Sequence, residues 1–534
     1  MATEAKRREM ILKGDLLKTI LAICLPIALY NFFNSAYTVI DQIICASINT
    51  TAQNAVSSIS QIKSTISAFG GGLAAGGGVL VARYYGAGDL KNARHSASNL
   101  LFMSVILSLI LMLILIPLSE PILRMCQIAE DSVKIGVNYF RLQMLELAFV
   151  SINSVFIGLE KAKGNSKRIM VLNIVVMLMK LGLTCAFVYG FKWLDIVSVE
   201  TATIIAQAAL TLYGLIILFR PSNILHVSIK LLPLKKVYTV RILQLSIPIF
   251  FGKFVMSMGK VVVNGMCGAF WNKGNADPLM DGLIVGTLGV SNNISGLITS
   301  PTNSFEEGTS TIVSQNLGNR NIKRAVRTFW KSLIVVTIIS AIGYILLRFF
   351  LIDQITDLFT LVKNQSESKE RMETYKNMIK DIFVFDSLSI PALGITAAIL
   401  GLLYGFGQTK LSFFLNLSRI GSRIIILLIC YYLTPLKTDP TFCAGLSMGI
   451  SNIVILLVAT LFLVFFLLHV KKKGYLGMQL SDPEPDVSPL VYEEDEKKEI
   501  FDPEDTPPIE EKETFEEEIA DSIIESENPC DNNQ

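Results

Sequence analysis

The stretch GLEKAKGNSK at residues 158–167 returns as GLLYGFGQTK at residues 401–410, 243 residues further along the chain. Both copies share a Gly-Leu pair, a second glycine and a final lysine, and the match continues into Leu-Asn pairs that end at Asn173 and Asn416. Self-similarity at this distance is far longer than a solenoid repeat, so it predicts two homologous halves. In membrane proteins, two related halves around a shared site are typical of secondary transporters.

A second motif recurs in the same order at a spacing of 232 residues. Its shared positions are Val81, Gly86, Lys91 and Ala93 in the first copy, and Val313, Gly318, Lys323 and Ala325 in the second. Pro26-Ile27 and Pro248-Ile249 form a weaker third pair, 222 residues apart. Because the offset grows along the chain, we expect extra loop residues in the second half near 268–282 and 351–380.

The composition is that of a membrane protein. Of the 534 residues, 51% are hydrophobic and 17% are charged, and the mean hydropathy is +0.51. A helix needs about 20 consecutive, mostly apolar residues to span a bilayer. The density of such runs argues against a soluble protein with buried core helices. Twelve candidate spans lie near residues 17–46, 57–82, 95–117, 132–158, 168–190, 195–219, 240–267, 283–313, 326–351, 381–406, 410–434 and 442–469.

These spans predict an all-α membrane protein with twelve transmembrane helices in two homologous six-helix halves. Lys and Arg concentrate in every second connection, which by the positive-inside rule places both termini in the cytoplasm. A cleavable signal peptide is not expected, because the first apolar run is long enough to be a full span. The expected segments are a cytoplasmic N-terminus (1–15), an N-terminal half (16–220), a cytoplasmic linker (221–239), a C-terminal half (240–470) and a disordered acidic cytoplasmic tail (471–534).

The last segment differs sharply in composition from the rest of the chain. Residues 481–534 contain 21 Asp and Glu against 3 Lys, a charge of −18, which leaves +20 on residues 1–480. Such an acidic, proline-punctuated segment cannot bury enough apolar surface to fold alone. We expect a solvated tail, and a regulatory or partner-docking tail is the alternative.

Enzymatic chemistry has little support in the sequence. Only three His occur, and none lies in metal-ligand spacing with another His or a Cys. The eight Cys form no Cys-x-x-Cys pair, and no Gly-Lys-Ser/Thr phosphate loop is present. We therefore expect no enzyme, no cofactor and no metal site. The energy for transport would come from a proton or sodium gradient, or the transport would be passive.

Charged residues occur where lipid should exclude them. Intramembrane charges are costly and usually face a bundle interior or a wet cavity, so each is a functional candidate. A static ion pair, or a lysine that reaches the interface, is the structural alternative, favoured here for Lys63, Lys253 and Asp386 near span ends. The intramembrane charges are Asp41, Lys63, Glu146, Lys180, Lys253, Lys260, Glu306, Glu307, Asp386, Arg419 and Arg423.

Helical spacing groups some of these charges with polar neighbours. Asn173, Lys180 and Thr184 share one face of the fifth span, because residues four and seven apart stack along a helix. The repeat offset maps Asn173 and Lys180 onto the eleventh span, so both halves place a cation at the same depth. The equivalent stripe there consists of Asn416, Arg419 and Arg423. These six residues are the substrate-binding candidates.

Several of these motifs together resemble the multidrug and toxic compound extrusion (MATE) family, in the multidrug/oligosaccharidyl-lipid/polysaccharide exporter superfamily. Ser35-Ala36-Tyr37-x3-Asp41 is similar to the family's first helix, and Ser314–Gly318 to its second-half motif. The segment 70–93, the loop 158–167 and Leu415-Asn416-x2-Arg419 also resemble that family. The resemblance covers roughly residues 12–470. It implies a V-shaped, all-helical antiporter that alternates between inward- and outward-open states, driven by protons or sodium ions.

The resemblance assigns roles residue by residue. Asp41 matches the family's first-helix carboxylate and is an ion-coupling candidate. The further ion-coupling candidates are Glu146, Glu306, Glu307 and Asp386. Where many members carry an Asn and an Asp on helix 5, this chain has Lys180 and Thr184. That departure disfavours a simple exporter of organic cations and favours an anionic or zwitterionic substrate.

Other functions remain open from the sequence. The alternative within the same superfamily is a flippase of a lipid-linked or phosphate-bearing precursor, since Lys and Arg bind phosphates well. The sequence shows no nucleophile-plus-base arrangement, which argues against a membrane-embedded enzyme. A receptor does not need two homologous halves. We expect a multi-pass protein of the cell membrane that handles a small molecule, contacts the lipid bilayer, binds no nucleic acid and functions as a monomer.

Overall fold

The computed structural model describes residues 2–491, apart from 49, 126–129, 194–195, 229–233, 272–282, 364–368 and 433–438. Within its helices, the side chains of residues 2–3, 37–48, 50–58, 60–61, 125, 130–135, 196, 358–363 and 369 are not described. The remaining chain is helical apart from short connections. The N-terminal half is built by α1 (Ala2–Lys13), α2 (Leu16–Ile48), α3 (Thr50–Ala87), α4 (Leu90–Leu115), α5 (Ser119–Met125), α6 (Glu130–Ala162), α7 (Ser166–Cys185) and α8 (Ile196–Phe219).

The C-terminal half repeats this order. It contains α9 (Lys236–Trp271), α10 (Ile284–Gly318), α11 (Ile322–Ile345), α12 (Ile352–Lys363), α13 (Lys369–Leu388), α14 (Ile390–Gly405), α15 (Lys410–Tyr432) and α16 (Pro440–Lys473). Short π-helical turns extend α7 over Ala186–Gly190 and α11 over Leu346–Leu351. The predicted fold class, an all-α membrane protein with two six-helix halves, is confirmed.

Ten of the described helices are long and apolar enough to span a membrane, and α13 with α14 forms an eleventh span that is bent by 42°. The twelfth predicted span corresponds to α10, which has 35 residues but is not among the helices that are apolar enough. Its second half is rich in Ser, Thr, Asn and Glu, and nearly all of residues 301–318 are buried. A polar span is tolerated here because neighbouring helices, instead of lipid, surround it.

Lipid-facing surfaces are recognisable by exposed apolar stripes. On α11, Ile334, Ile338 and Ile342 are each more than half exposed and lie four residues apart, on one side of the helix. The opposite side of α11 carries buried Phe329 and Val336. Exposure of isoleucine would be unfavourable in water, so this stripe indicates contact with lipid tails.

The internal repeat is visible in the turns. The α3–α4 turn places Gly88 at a φ of +83°, and the equivalent α10–α11 turn places Arg320 at +57°. The next residue caps the following helix in both copies: Asp89 accepts from the Asn92 amide and Asn321 accepts from the Arg324 amide, each at 2.9 Å. The two copies of the motif therefore fold alike, as the 232-residue spacing predicts.

The repeated Gly-Leu motif brings helices close together inside each half. A Cβ built on Gly158 would lie 3.1 Å from the carbonyl oxygen of Ala74, and one on Gly401 would lie 2.9 Å from that of Glu306. Ala74 and Glu306 are equivalent positions of the 232-residue repeat. The same close approach thus joins α3 to α6 and α10 to α14.

Both ends of the described chain lie on one face of the molecule, which we call the terminal face. Helix α1 packs there, where Arg324 at the start of α11 donates to the carbonyl oxygens of Ile11 and Gly14. Helix α16 ends at Lys473, inside the segment predicted as a tail. The next residues, 474–491, fold back over the terminal face and are called the C-terminal strap; residues 492–534 lie outside the described part.

Candidate functional site

The two halves meet on the terminal face through the glycines of the repeated motif. A Cβ built on Gly86 would lie 2.1 Å from the carbonyl oxygen of Gln315, and one on Gly318 would lie 2.0 Å from that of Arg83. Arg83 and Gln315 are themselves equivalent positions, so the contact is nearly two-fold symmetric. Any side chain at position 86 or 318 would overlap backbone atoms of the other half. Arg83, Gly86, Gln315 and Gly318 form what we call the gate.

Hydrogen bonds across the halves complete the gate. The Gln315 side chain donates to the carbonyl oxygen of Ala162 at 2.6 Å, and Arg83 donates to that of Gly405 at 2.9 Å. Lys161 forms an ion pair with Glu307 across the same boundary. The terminal face is therefore closed in this structure.

A first group of charges lies inside the N-terminal half and is called the N-half cluster. Lys63 on α3 forms an ion pair with Glu146 on α6, and its Nζ is 3.7 Å from a carboxylate oxygen of Glu200 on α8. The side chains of Glu146 and Glu200 are only 4% and 3% exposed, and that of Lys63 is 22% exposed. The two carboxyl groups interact with each other, and Lys180 acts electrostatically on both.

Among the residues whose side chains the structure describes, the N-half cluster balances its charge. It contains two ammonium groups and two carboxylates. One buried oxygen of Glu200 accepts no hydrogen bond and lies 3.7 Å from the Lys63 Nζ. Two ionised carboxylates in contact repel each other, whereas a proton shared between them would make a hydrogen bond.

A second group of charges lies inside the C-terminal half and is called the C-half cluster. Asp386 on α13 accepts a hydrogen bond from Ser295 on α10, and both side chains are buried. On α15, Arg419 donates to Asn452 at 2.6 Å and Arg423 donates to Ser451 at 3.1 Å. Lys260 of α9 is close enough to interact electrostatically with Asp386 and both arginines.

The C-half cluster carries an excess of positive charge. Three cations face one carboxylate, and the described partners of the two arginines are neutral side chains. Arg423 is 3% exposed, and a buried charge without its own counterion is costly. The arrangement therefore favours an anionic group beside Arg419 and Arg423.

The two clusters occupy equivalent places in the two halves. Lys63 corresponds to Ser295 through the 232-residue spacing, and Lys180 corresponds to Arg423 through the 243-residue spacing. Along α3, Lys63 precedes the gate residue Gly86 by 23 residues, or about 35 Å at the helical rise of 1.5 Å per residue. Both clusters thus lie far from the gate, toward the opposite face.

A third group of charges lies between the halves. Glu306 and Glu307 of α10 face Lys253 of α9, and Glu307 also pairs with Lys161. The Glu307 side chain remains 42% exposed although α10 is surrounded by other helices. That exposure is consistent with a water-accessible space between the halves.

The other candidate residues from the sequence occupy different environments. Asn173 and Thr184 are buried on α7, where Asn173 donates to the carbonyl oxygen of Ile169 at 2.8 Å. Asn416 makes the equivalent bond to Ser412 at 2.8 Å. The hydroxyl of Thr184 is buried without a hydrogen-bond partner. Asp41 lies in α2, but its side chain is outside the described residues, so its role in ion coupling stays a prediction.

The sequence did not single out Glu200 or Ser295. Glu200 lies in the predicted span 195–219, near its beginning, where a carboxylate reads as an interfacial residue. Its partners are on α3 and α6, which only the three-dimensional packing brings together. Within the described residues, no group of three or more His, Cys, Asp or Glu is placed to hold a metal ion.

Comparison with known families decides the classification. A family model described as MatE matches residues 26–186 and 248–429, one segment in each half and more than half of the chain. This chain belongs to the MatE family. The family segments contain the repeated motifs and most residues of the three charge groups, and Glu200 lies outside them.

Curated relatives match this MatE protein over a limited part of their length. The multidrug export protein MepA of Staphylococcus aureus (strain bovine RF122 / ET3-1) is 24% identical over 189 residues, which is 35% of this chain and 42% of the relative. MepA of Staphylococcus haemolyticus (strain JCSC1435) is 24% identical over 223 residues, or 41% and 48%. The matches thus span less than half of these relatives.

Solved structures match over nearly the whole helical part. A crystal structure of MATE in complex with MaL6 has a TM-score of 0.78 and 18% identity, covering 87% of this chain and 99% of that chain. A MOP superfamily transporter from Pyrococcus furiosus Vc1 (DSM3638), described as having a binding pocket of reverse polarity, has a TM-score of 0.78 and 19% identity. It covers 87% of this chain and 98% of its own. Both likenesses show the fold.

Proposed function

We propose that this MatE protein is a secondary active antiporter that exports a small organic molecule across the cell membrane in exchange for protons or sodium ions. The observation that carries the proposal is the N-half cluster, in which Glu146 and Glu200 share Lys63 inside an otherwise apolar half. Intramembrane carboxylates in such positions are typical of ion pathways and proton relays in transporters. The family relatives named as multidrug exporters support the same class of activity.

Changes in the protonation of the N-half cluster couple proton movement to the conformational change. With both carboxyl groups ionised, Glu146 and Glu200 compete for Lys63 while Lys180 compensates the second charge. Protonation of one carboxyl lets it donate a hydrogen bond to the other and releases part of the attraction on Lys63. An ion shifts a conformational equilibrium only if it binds the two states unequally. Rearrangement of α3, α6 and α8 on proton binding would supply that inequality.

Protons are the favoured coupling ion for this cluster. Sodium would need several oxygen ligands and would have to approach two ammonium groups, Lys63 and Lys180. A proton needs only one carboxylate oxygen, and Glu200 has a buried oxygen that accepts no hydrogen bond, although it faces Lys63 at 3.7 Å. Asp41, Glu306, Glu307 and Asp386 remain further candidates for ion coupling.

Alternating access follows from the gate. The structure is closed on the terminal face, so substrate would enter from that face only after Gly86 and Gln315 separate. The basic residues of this face support its placement in the cytoplasm by the positive-inside rule. We propose that both termini are cytoplasmic, that the chain works as a monomer without a cofactor, and that it is no enzyme.

The alternative function is a flippase of a lipid-linked or phosphate-bearing precursor. Two observations favour it: the positive C-half cluster, and an apolar groove of about 480 Å³ on the outside of the same half. The groove is lined by Ile247, Pro248, Phe251, Lys410, Phe413 and Phe414. A structural neighbour with a pocket of reverse polarity is consistent with an anionic substrate. In this reading Arg419 and Arg423 would bind the phosphate.

Transport by the purified full-length chain in liposomes tests the proposal. We expect a proton gradient to drive uptake of a fluorescent dye, with carboxyfluorescein favoured over ethidium because of the positive C-half cluster. Parallel vesicles with a sodium gradient separate the two coupling ions. A phosphatidylglycerol labelled in one leaflet tests the flippase, which predicts lipid transfer between leaflets and no dye uptake.

A matched pair of variants assigns the coupling site. Glu200→Gln removes one carboxyl but leaves the Lys63–Glu146 ion pair intact, so folding should be retained while gradient-driven uptake is lost. Glu373→Gln changes an exposed glutamate of α13 and should transport like the wild type. Equal uptake by both variants would reject Glu200 as a coupling residue. Absence of any dye or lipid movement under either gradient would reject the transport proposal.

A further inference from the structure

The C-terminal strap connects the two halves on the terminal face. Its beginning packs mainly against the C-terminal half: Tyr475, Leu476 and Leu480 contact an apolar core formed mostly by α10, α11, α14 and α16, which also includes residues of α1 and α2. Its end belongs to the other half: Leu490 packs against the core formed by α3, α4, α6 and α8. A segment anchored in both cores resists separation of the halves at this face.

Ser488 is the point where the halves are joined through the strap. Its amide and hydroxyl both donate to the side-chain oxygen of Asn319 at 2.9 Å, in the α10–α11 turn. Its carbonyl oxygen accepts a bond of 2.7 Å from Arg8 on α1. Arg8 donates its other bonds to the carbonyl oxygens of Tyr85 at 2.9 Å and Gly86 at 2.8 Å. Ser488 thus links the end of α3, through Arg8, to the α10–α11 turn.

A third connection lies at the α3–α4 turn. The Val491 amide donates to the carbonyl oxygen of Gly88 at 2.9 Å. A Cβ built on Gly88 would lie 2.1 Å from the carbonyl oxygen of Pro489, and its φ of +83° is also one that glycine adopts most readily. Glycine at position 88 therefore lets the strap approach the turn closely.

The buried contacts outweigh the surface ion pairs in this arrangement. Arg8 is 3% exposed, and its burial lowers its pKa, although a guanidinium stays protonated in proteins. Its hydrogen bonds are charge-assisted and shielded from water, so they are strong. The hydrogen bond with Asp486 raises the pKa of Lys13 and lowers that of Asp486, but both groups are exposed and contribute little.

We infer that the C-terminal strap is a latch for the gate: residues 474–491 hold the α3–α4 and α10–α11 turns together, and their release precedes opening of the terminal face. The latch stabilises the closed state through Ser488, Arg8 and Asn319. Only the role of the latch in transport rests on the proposed function, because alternating access would require the latch to open in each cycle.

Two truncations of the full chain test the latch. Removal of 492–534 keeps all the residues that make the described strap contacts and serves as the matched control. Removal of 474–534 deletes the strap. We expect hydrogen–deuterium exchange of amides 84–92 and 315–325 to be at least about tenfold faster without the strap, equivalent to about 1.4 kcal/mol. Equal exchange in the two truncated proteins would overturn the inference.

Neighbouring arginines of α1 provide a test without truncation. Arg8→Gln removes the bond to Ser488 and those to the α3–α4 turn, whereas Arg7→Gln leaves the strap contacts unchanged. Faster exchange at both turns in Arg8→Gln alone supports the latch. If only amides 84–92 exchange faster and 315–325 do not, Arg8 stabilises its own half and the latch is rejected. Neither result depends on transport, so failure of the proposed function would be recognised separately.

Discussion

Addition of one methyl group at Gly86 is expected to hold the terminal face open. In Gly86→Ala the new Cβ would lie 2.1 Å from the carbonyl oxygen and 2.5 Å from the Cα of Gln315. These are backbone atoms of α10, so no side-chain rotation can relieve the overlap. The two halves must move apart at the gate, because an ordinary carbon–oxygen contact requires more than 3 Å.

The magnitude follows from the energetic cost of overpacking. Inserting a methyl group into a closely packed site costs about 1–3 kcal/mol, which changes the ratio of closed to open molecules by about 5- to 150-fold. Alanine also has a higher helix propensity than glycine by about 1 kcal/mol, so the helix itself should be stabilised. A shift toward the open state with unchanged or higher thermal stability would distinguish the gate from a structural defect.

Gly78 on the same helix provides the control. A Cβ built there would be 3.7 Å from its nearest neighbour, the carbonyl oxygen of Gly158, which is an ordinary contact. Hydrogen–deuterium exchange at residues 84–92 and 315–325 should be faster in Gly86→Ala than in Gly78→Ala, and Gly318→Ala should behave like Gly86→Ala. Identical exchange in Gly86→Ala and Gly78→Ala would refute the description of the gate.

Further predictions concern the cavity and the topology. Asp41→Asn should stop gradient-driven dye uptake with little change in thermal stability; uptake at the wild-type rate would remove Asp41 from the coupling residues. Lys180→Asn removes a positive charge from the N-half cluster and should raise ethidium uptake relative to carboxyfluorescein, and an unchanged ratio would exclude it from substrate selection. A cysteine introduced at 365 should react with an impermeant reagent added outside intact cells, and one at 472, an exposed position at the end of α16, should not. The opposite labelling pattern would reverse the orientation.

The internal repeat in the sequence predicted more than the number of helices. Because Gly86 and Gly318 are equivalent, a symmetric contact between the halves could have been inferred from the repeat. The structure places both glycines at the gate. The equivalence of Lys180 and Arg423 similarly places a cation in each cluster. Both correspondences arise because repeated motifs fold alike and related halves meet around a common axis.

Contacts between side chains on distant helices could not be predicted from the sequence. Whether Glu146 meets Lys63, and whether Glu200 joins them, depends on the rotation of α3, α6 and α8 about their axes, which hydropathy does not determine. The sequence favoured a structural role for Lys63, and its ion pair with Glu146 agrees with that alternative as well as with coupling. The strap was not predicted because four apolar anchors, Tyr475, Leu476, Leu480 and Leu490, lie within an acidic, proline-containing segment.

Coupled transport requires a link between the N-half cluster and the gate. Hydrogen–deuterium exchange at residues 84–92 and 315–325, compared at neutral and mildly acidic pH and corrected for the intrinsic pH dependence of exchange, measures that link without a substrate. We expect acidification to change exchange at both turns in the wild type, because a proton bound by Glu146 or Glu200 alters the packing of α3. The response should be lost in Glu200→Gln and kept in Glu373→Gln. An identical pH response in the wild type and Glu200→Gln would contradict coupling through this cluster.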